Sequence, residues 1–294
     1  MEATTASSAA LRVGFIGLGD MGEPMAHNLV AKGFPVTVFD TRPEPLQAAK
    51  AKGAVVATSL AAMAESCDVI GICVWSEDQV NEILHGKDGL LSGTASGVTL
   101  LIHSTVTPQM VERTEVACAA RGWNVLDAPV SGGRAGSVAG TLTLMVGGSK
   151  RNFDRCRPYF DAVGKNIFHV GERAGMGEVA KLCNNMMALC NCFVVAETLK
   201  LAVAYGIEEA AIIEVAQVST GNSWWIENPE FFDNLITHHP QPDVLSKDLW
   251  EAVYAGREKG LDLLLSGVVA LSAPRMTSDR IALLRARVTT DIKA

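Results

Sequence analysis

The stretch Leu11–Gly22 reads L-R-V-G-F-I-G-L-G-D-M-G and decides the fold of the first half of the chain. Its first six residues predict a strand, and a helical pattern begins after the last glycine. Gly17 permits a tight turn, Gly19 lets a diphosphate approach the backbone, and Gly22 lets the helix pack on the strand. This spacing favours a dinucleotide-binding turn over an ordinary loop ahead of a buried helix. The intervening residues are predicted to contact the same ligand: Leu18, Asp20 and Met21.

Asp40 follows the second predicted strand, about 20 residues beyond the glycine-rich turn. An acidic side chain at this distance accepts hydrogen bonds from a free ribose diol and repels a 2′-phosphate, which favours NAD. Arg42, two residues further on, could instead hold a 2′-phosphate, which would favour NADP. We predict NAD as the cofactor, with NADP as the alternative.

Strands and helices alternate from Leu11 to about Val170. This alternation predicts right-handed βαβ units and an α/β Rossmann domain with a doubly wound, mostly parallel sheet. The predicted strands are Leu11–Ile16, Pro35–Phe39, Asp68–Val74, Val98–Ile102, Asn124–Leu126 and Thr141–Val146. The predicted helices are Pro24–Lys32, Pro43–Lys52, Glu77–Leu84 and Pro108–Arg121.

After Gly175 the strand patterns end and the sequence is helical. One pattern, about 176–205, would be roughly 45 Å long at 1.5 Å per residue, which indicates a helix joining two domains. The predicted organisation is a disordered tail over 1–10, a dinucleotide-binding domain over 11–174 and an all-α domain over 175–294. Later helices are predicted near Glu208–Val218, Ser246–Lys259, Asp262–Leu271 and Ser278–Val288.

Composition excludes several classes of protein. Among 294 residues, 48% are hydrophobic and 19% are charged, against roughly 25% charged in an average domain. Disorder is therefore excluded, and the shortage of charge indicates that surface beyond one subunit's own core is buried, as in an oligomer. The net charge of −7 argues against a nucleic-acid partner. No apolar stretch is long and uninterrupted enough to indicate a membrane span.

The seven cysteines are scattered, odd in number and without a C-x-x-C pair. This pattern argues against a disulfide framework and against a zinc site, so no metal is predicted. The first ten residues lack the basic and apolar regions of a signal peptide. We therefore expect a cytoplasmic protein.

A second glycine-rich segment, Asp127–Gly136, reads D-A-P-V-S-G-G-R-A-G and follows a predicted strand. The backbone N–H groups of Ser131, Gly132 and Gly133 could form a cradle for an anion at the edge of the sheet where ligands bind. Taken alone, however, the segment is better explained as a plain glycine turn before the next strand, Thr141–Val146. The segment Ser104–Pro108, which reads S-T-V-T-P, follows another strand and could contact a cofactor or cap the helix that begins at Pro108.

Lys181 and Asn185 lie four residues apart in the long helical pattern and therefore share a face. Burial and the positive end of the helix dipole both lower the pKa of such a lysine toward the range of proton exchange. The alternative is a lysine that extends to solvent beside bridging asparagines. Lys247-Asp248, in a later helix, is expected to be a solvated pair.

Taken together, five segments resemble the β-hydroxyacid dehydrogenase family, which includes 3-hydroxyisobutyrate dehydrogenase. They cover nearly the whole chain after the tail and occur in the order that the family has. They are Gly17–Leu29, Ser104–Pro108, Asp127–Gly133, Gly177–Asn185 and Lys247–Leu249.

The resemblance implies hydride transfer between nicotinamide and a small 3-hydroxy acid or its semialdehyde, with a carboxylate on the substrate. Lys181 would be the general acid in reduction and the general base in oxidation. Asn185 would orient the substrate, and the all-α domain would serve substrate binding and oligomerisation, forming a homodimer or homotetramer. The remaining implied contacts are Ser131, Gly132 and Gly133 with the substrate carboxylate, and Val74, Thr105 and Lys247 with the cofactor.

Three features depart from the family pattern. Ile102 replaces an acidic residue, Val74-Trp75 replaces Leu-Pro near the nicotinamide path, and Arg275–Arg287 lacks a glycine-bearing motif. Two other functions stay open. One is an NADPH-dependent reductase of glyoxylate or succinic semialdehyde that uses Arg42, and the other is a non-catalytic cofactor-binding protein.

Overall fold

A computed structural model describes residues 11–231 and 244–291, with the backbone alone for 244, 245 and 281–291. The predicted tail over 1–10 lies outside the described residues. The chain divides into two compact units between Lys181 and Leu182, whereas the sequence places the boundary between 174 and 175.

The first unit contains a nine-stranded sheet in the order β3-β2-β1-β4-β5-β6-β8-β7, with β9 beside β8. Strands β1 to β6 pair in parallel. Strand β8 runs antiparallel to β6 and β7 but parallel to β9. The predicted doubly wound, mostly parallel sheet is confirmed. Its strands are β1 Val13–Ile16, β2 Val36–Phe39, β3 Val55–Val56, β4 Val69–Ile72, β5 Thr99–Ile102, β6 Asn124–Asp127, β7 Val130–Ser131, β8 Leu142–Gly147 and β9 Gly164–Gly171.

Helices cover both faces of this sheet. In β1, Val13 and Phe15 join one buried cluster and Ile16 joins another, because successive side chains of a strand point to opposite faces. Continuous burial of such strands on both faces is typical of parallel sheets. The helices are α1 Gly22–Ala31, α2 Pro43–Ala51, α3 Leu60–Ser66, α4 Glu77–His85, α5 Pro108–Ala119, α6 Gly133–Ala139 and α7 Lys150–Val163.

Several of these elements were not predicted from the sequence. Strand β3 has only two residues, too few for a periodic pattern. Helix α7 contains Pro158, which argues against a helix locally. The segment after Gly132, interpreted as a cradle or a plain turn, continues into the seven-residue helix α6.

Among the described residues of the second unit, all regular structure is helical. Helix α8 spans Met176–Ala204 and crosses the division between the units, close to the predicted 176–205. The other helices are α9 Glu209–Gln217, α10 Trp224–Glu227, α11 Val244–Glu258 and α12 Leu264–Asp291.

Helix α12 corrects one prediction. The sequence indicates two helices, Asp262–Leu271 and Ser278–Val288, but the structure has one helix that continues through Pro274. Proline removes one helical hydrogen bond, and burial of Ala270 and Ala273 in the core of this unit offsets that loss. Packing of this helix therefore keeps it continuous through Pro274, although a proline favours a break there.

By length and composition alone, one helix of the described chain, α8, could cross a membrane. Core helices of globular proteins meet the same criterion. Its sequence includes Glu178, Lys181 and Glu197, and Glu178 is fully buried.

Candidate functional site

The glycine-rich turn has the geometry that a diphosphate needs. Gly17 has φ +90°, and a Cβ there would overlap the carbonyl oxygen of Cys73. A Cβ on Gly22 would overlap the carbonyl oxygen of Gly17. A Cβ on Gly19 would meet nothing within 4 Å among the described atoms. The outer two glycines therefore permit close packing within the protein, while Gly19 leaves its backbone open to a ligand.

The start of α1 adds to this site. Within the described chain, Met21 at its N-cap makes no side-chain capping hydrogen bond. Glu23 N donates to the carbonyl of Gly19 at 3.0 Å, which closes the first helical turn. The N-terminus of a helix left without a side-chain cap suits an anionic ligand. Asp20 is exposed and Met21 is half-buried in this turn.

Asp40 lies at the end of β2 and reaches back to the turn. Its carboxylate accepts from Leu18 N at 2.7 Å, from Arg42 Nε at 3.0 Å and from Arg42 Nη2 at 3.0 Å. Burial raises the pKa of Asp40, but these hydrogen bonds outweigh it and hold the pKa below its ordinary value. Arg42 also donates to the carbonyl oxygen of Leu18 at 3.0 Å. Asp40 is therefore an ionised hydrogen-bond acceptor beside the turn, and its cationic partner is Arg42.

Val74 and Ser104 join the ends of β4 and β5. Val74 N donates to Ser104 Oγ at 2.8 Å, and a Cβ built on Gly17 would lie 2.8 Å from Val74 Cγ1. Val74 is thus adjacent to the glycine-rich turn. Thr105 is half-buried. The residue that caps α5 is Thr107, whose Oγ1 accepts from Met110 N at 3.3 Å, so the segment Ser104–Pro108 does cap the helix that begins at Pro108.

Asp127, at the end of β6, binds the first turn of α8. Its carboxylate accepts from Gly175 N at 2.8 Å and from Glu178 N at 2.7 Å. Asp127 is fully buried, and this burial raises its pKa against the lowering effect of the backbone hydrogen bonds. Lys181 is half-buried and lies three residues beyond Glu178, so Asp127 sets the position of the helical turn that carries it.

The predicted anion cradle lies four to six positions beyond Asp127 in the chain and comprises Ser131, Gly132 and Gly133. Ser131 belongs to β7 and pairs with Thr143 of β8. Gly132 has φ +130° and Gly133 has φ +59°, in the region where residues with a side chain are strained. Two successive residues of this conformation turn the chain sharply and expose its backbone, as an anion cradle requires.

Asn185 belongs to the second unit and is 8% exposed. Its Nδ2 donates to Asp248 Oδ2 at 2.6 Å, and its Oδ1 accepts from Asn184 Nδ2 at 3.2 Å. Asp248 is half-buried, so its interpretation as part of a solvated pair is wrong. Nothing in the local sequence distinguishes Asp248, because its partner lies 63 positions away. Lys247, beside it, is also half-buried.

His103 and Tyr159 form a buried polar pair that sequence reasoning missed. His103 Nε2 lies 2.8 Å from Tyr159 Oη, and His103 Nδ1 lies 2.8 Å from the carbonyl oxygen of Ala128. Burial lowers the pKa of His103 to about 4, against a smaller raising effect of Ala128. The neutral ring joins the residues that directly follow β5 and β6, next to Ser104 in the chain.

These residues fit a dinucleotide. Gly17, Gly19 and Gly22 would admit the diphosphate, Asp40 would accept the ribose hydroxyls, and Val74 lies next to the same turn. Among the described residues, no group of three His, Cys, Asp or Glu side chains could hold a metal ion. The first unit thus brings the predicted cofactor residues other than Lys247 to the carboxyl edge of one sheet, where α/β proteins bind nucleotides.

Comparison with known proteins agrees with this geometry. The family described as the NAD binding domain of 6-phosphogluconate dehydrogenase matches residues 12–171. The family described as NAD-binding of NADP-dependent 3-hydroxyisobutyrate dehydrogenase matches residues 175–279. The two matches together cover most of the chain.

Individual relatives point the same way. The chain is 37% identical over 267 residues to 3-hydroxyisobutyrate dehydrogenase of Pseudomonas aeruginosa, which covers 89% of the chain and 86% of the relative. It is 37% identical over 245 residues to NAD-dependent L-serine dehydrogenase of the same species, with 83% and 79% covered. A solved structure of Mycobacterium tuberculosis 3-hydroxyisobutyrate dehydrogenase with L-serine has a TM-score of 0.80 at 29% identity, covering 92% of this chain and 94% of that one.

Both family matches describe nicotinamide-dinucleotide binding, and both relatives at 37% identity are dehydrogenases named for hydroxy acids. The five sequence segments, the Rossmann topology and the glycine-rich turn agree with them. The chain belongs to the β-hydroxyacid dehydrogenase family and is an NAD(P)-dependent oxidoreductase that acts on the hydroxyl group of hydroxy acids.

Proposed function

We propose that the protein interconverts a small 3-hydroxy acid and its semialdehyde with NAD, and that Lys181 is the general acid and base. The observation that carries this proposal is the position of Asp127. Its carboxylate binds the first turn of α8, one turn before Lys181, and the segment Ser131–Gly133 begins four residues later in the chain. One buried residue at the end of β6 therefore fixes the helix that carries the proton-transfer group and lies a few residues before the anion cradle.

Each residue has a defined task in this proposal. The backbone N–H groups of Ser131, Gly132 and Gly133 hold the substrate carboxylate. Asn185, itself oriented by Asp248 through a 2.6 Å hydrogen bond, orients the substrate. Lys181 accepts the hydroxyl proton during oxidation and returns it during reduction. When bound, the nicotinamide cofactor accepts or supplies the hydride.

The cofactor contacts follow from the turn and the strand ends. The segment Gly17–Gly22 holds the diphosphate, and Val74, Thr105 and Lys247 contact the nicotinamide half. Asp40 accepts the ribose hydroxyls, and its lowered pKa keeps it ionised, so that it repels a 2′-phosphate. Arg42 is engaged by both oxygens of Asp40. This pairing supports NAD over NADP, because the guanidinium already has an anionic partner.

The experiment measures nicotinamide absorbance with NAD and NADP in parallel over a panel of hydroxy acids: 3-hydroxyisobutyrate, glycerate, L-serine, threonate and 4-hydroxybutyrate. Lys181→Ala tests the proton-transfer role. Lys200→Ala is a matched control on the same helix, because Lys200 is exposed and pairs with Asp279 at 2.9 Å. We expect turnover with NAD that Lys181→Ala abolishes and Lys200→Ala keeps.

Other outcomes discriminate the alternatives. Turnover with NADPH and glyoxylate or succinic semialdehyde, weakened by Arg42→Ala, would support the reductase instead. Cofactor binding without turnover on any substrate would support a non-catalytic binding protein. Full turnover in a folded Lys181→Ala variant would refute the role of Lys181.

We also propose that the protein is a homodimer or homotetramer, assembled through its helical unit. On α12, Leu264, Leu265, Val268 and Leu271 are each more than 60% exposed and lie on one side at helical spacing. Contiguous exposed apolar surface of this kind marks protein interfaces. Light scattering after gel filtration should give a multiple of 31.2 kDa, and Leu265→Lys with Val268→Lys should lower it toward one subunit.

The cytoplasm is the compartment we propose for the protein. All seven cysteines are free thiols: Cys183 is exposed, Cys73 and Cys190 are half-buried, and the other four are buried. Free thiols persist in a reducing compartment. Fractionation of cells that express the full chain would test this proposal.

A further inference from the structure

Helix α6 begins directly after the proposed carboxylate cradle and is bound to the glycine-rich turn. Ser137, in the middle of α6, is fully buried, and its hydroxyl donates to the carbonyl oxygen of Met21 at 2.7 Å. The carbonyl oxygen of Ser137 accepts from Asn28 Nδ2 at 2.7 Å. Ser137 therefore makes one hydrogen bond to the turn and another to the helix that follows it.

Arg134 makes a third link along the same seam. Its Nη1 donates to the carbonyl oxygen of Asp20 at 3.0 Å and lies 3.5 Å from the Asp20 carboxylate. Both side chains of this ion pair are more than half exposed, so the charge pair itself contributes little to stability. The significance of Arg134 is its position, immediately after Gly133 and in contact with the turn.

The hydroxyl of Ser137 is not needed to complete α1. The carbonyl oxygen of Met21 also accepts from Met25 N, at 3.4 Å, which is the ordinary helical hydrogen bond of that residue. The proposed proton transfer and hydride transfer do not use Ser137 either. The buried Ser137 hydroxyl thus joins α6, which follows the proposed carboxylate cradle, to the glycine-rich turn proposed to hold the dinucleotide.

We propose that Ser137 is a positioning residue that couples cofactor binding to substrate binding, and that Arg134 assists it. A dinucleotide on the glycine-rich turn fixes the carbonyls of Asp20 and Met21. These carbonyls then fix α6 and, through its first residues, the cradle at Gly132 and Gly133. Substrate binding is tighter as a result, and by thermodynamic linkage the cofactor binds more tightly when substrate is present. This inference rests on the proposed function, which supplies the two ligand sites.

The test is a thermodynamic cycle on the full-length protein. The dissociation constant of NADH is measured by its fluorescence, alone and with saturating 3-hydroxyisobutyrate or L-serine, pairs that cannot react because both partners are reduced. We expect at least about a fivefold tightening in the wild type, the lower range of measured allosteric coupling. In Ser137→Ala the tightening should fall below about twofold, while the affinity for NADH alone changes little.

Ser66→Ala is the matched control. The Ser66 hydroxyl also donates to backbone carbonyls, those of Ala62 at 3.0 Å and Met63 at 3.1 Å, but it lies at the opposite, amino edge of the sheet, before β4. Its coupling should equal that of the wild type. Arg134→Gln, at an exposed position, provides a second variant that retains the fold if Ser137→Ala does not, and its coupling should be reduced.

Steady-state kinetics separates positioning from a merely structural role. Ser137→Ala should raise the KM of the hydroxy acid by the same factor by which the substrate-induced tightening of NADH binding falls, while kcat stays within about twofold of the wild type. Wild-type coupling in folded Ser137→Ala and Arg134→Gln, or no tightening by either acid in the wild type, would overturn the inference. Failure of the proposed function would appear differently, as absence of turnover in the wild type.

Discussion

Replacement of Gly19 by alanine should separate cofactor binding from folding. A Cβ at this position meets no described atom within 4 Å, and the backbone of Gly19 is not among the glycines with positive φ. The free energy of unfolding of the cofactor-free protein should therefore change by no more than about 0.5 kcal/mol. The added methyl group would nevertheless stand on the open side of the turn, where the diphosphate approaches the backbone.

The expected loss of affinity follows from the contacts that a displaced diphosphate would forfeit. A hydrogen bond between a backbone N–H and a charged oxygen contributes about 1.5–3 kcal/mol. Loss of one such bond weakens binding by about 10- to 150-fold, at 1.4 kcal/mol for each factor of ten. We expect the dissociation constant of NADH to rise within that range in Gly19→Ala.

Gly22→Ala is the contrasting variant in the same turn. Its Cβ would overlap the carbonyl oxygen of Gly17, so the helix must move away from the strand. Overpacking of this kind costs about 1–3 kcal/mol, and the melting temperature without cofactor should fall.

Two measurements on each variant complete the comparison, namely thermal unfolding without cofactor and NADH titration by fluorescence. A folded Gly19→Ala protein that binds NADH within about twofold of the wild type would refute the approach of the diphosphate to this backbone. A destabilisation as large as that of Gly22→Ala would show that the space around Gly19 is not open.

Three further predictions concern charged or titratable groups. Asp40→Ala should lower the preference for NAD over NADP by about tenfold or more, because Arg42 loses its anionic partner; an unchanged affinity ratio would contradict this. Since the pKa of His103 is about 4 in the folded protein and near 6.5 in an unfolded chain, the wild type should lose about 3 kcal/mol of stability as pH falls from 6.5 to 4. In urea unfolding, His103→Gln should lose correspondingly less stability over the same fall in pH. A pH dependence of stability identical to that of the wild type would refute the lowered pKa of His103. Asp127→Asn should cost about 2–3 kcal/mol, since one charge-assisted hydrogen bond to α8 is lost, and a change below about 0.5 kcal/mol in urea unfolding would show that the anchor is unimportant.

Sequence reasoning worked where a few contiguous residues suffice. The tight turn at Gly17, the acidic residue at Asp40 and the length of α8 each depend on local spacing, and the structure has all three. Proline at the start of a helix likewise identified the beginnings of α2 and α5. Such signals act through the backbone angles of the residue itself.

It failed where a distant residue decides the outcome. The sequence predicts a solvated Asp248, but Asn185, 63 positions away, donates a hydrogen bond to it. Two separate helices were predicted around Pro274, but α12 is continuous there, and Ala270 and Ala273 just before the proline are buried in the core. His103 and Tyr159, 56 positions apart, form a hydrogen-bonded pair that neither local sequence predicts.

By itself, the sequence determined the Rossmann topology and the position of the dinucleotide turn, because strand and helix periods and glycine spacing are properties of short segments; the role of Lys181 came only from the family resemblance. Only the tertiary structure decided which groups meet. It assigned Arg42 to the carboxylate of Asp40 and attached the start of α8 to Asp127. It also joined the two ligand loops through Ser137, whose partner Met21 lies 116 positions away. A buried polar group takes the partner that the fold brings within hydrogen-bond distance, and no local pattern records that partner.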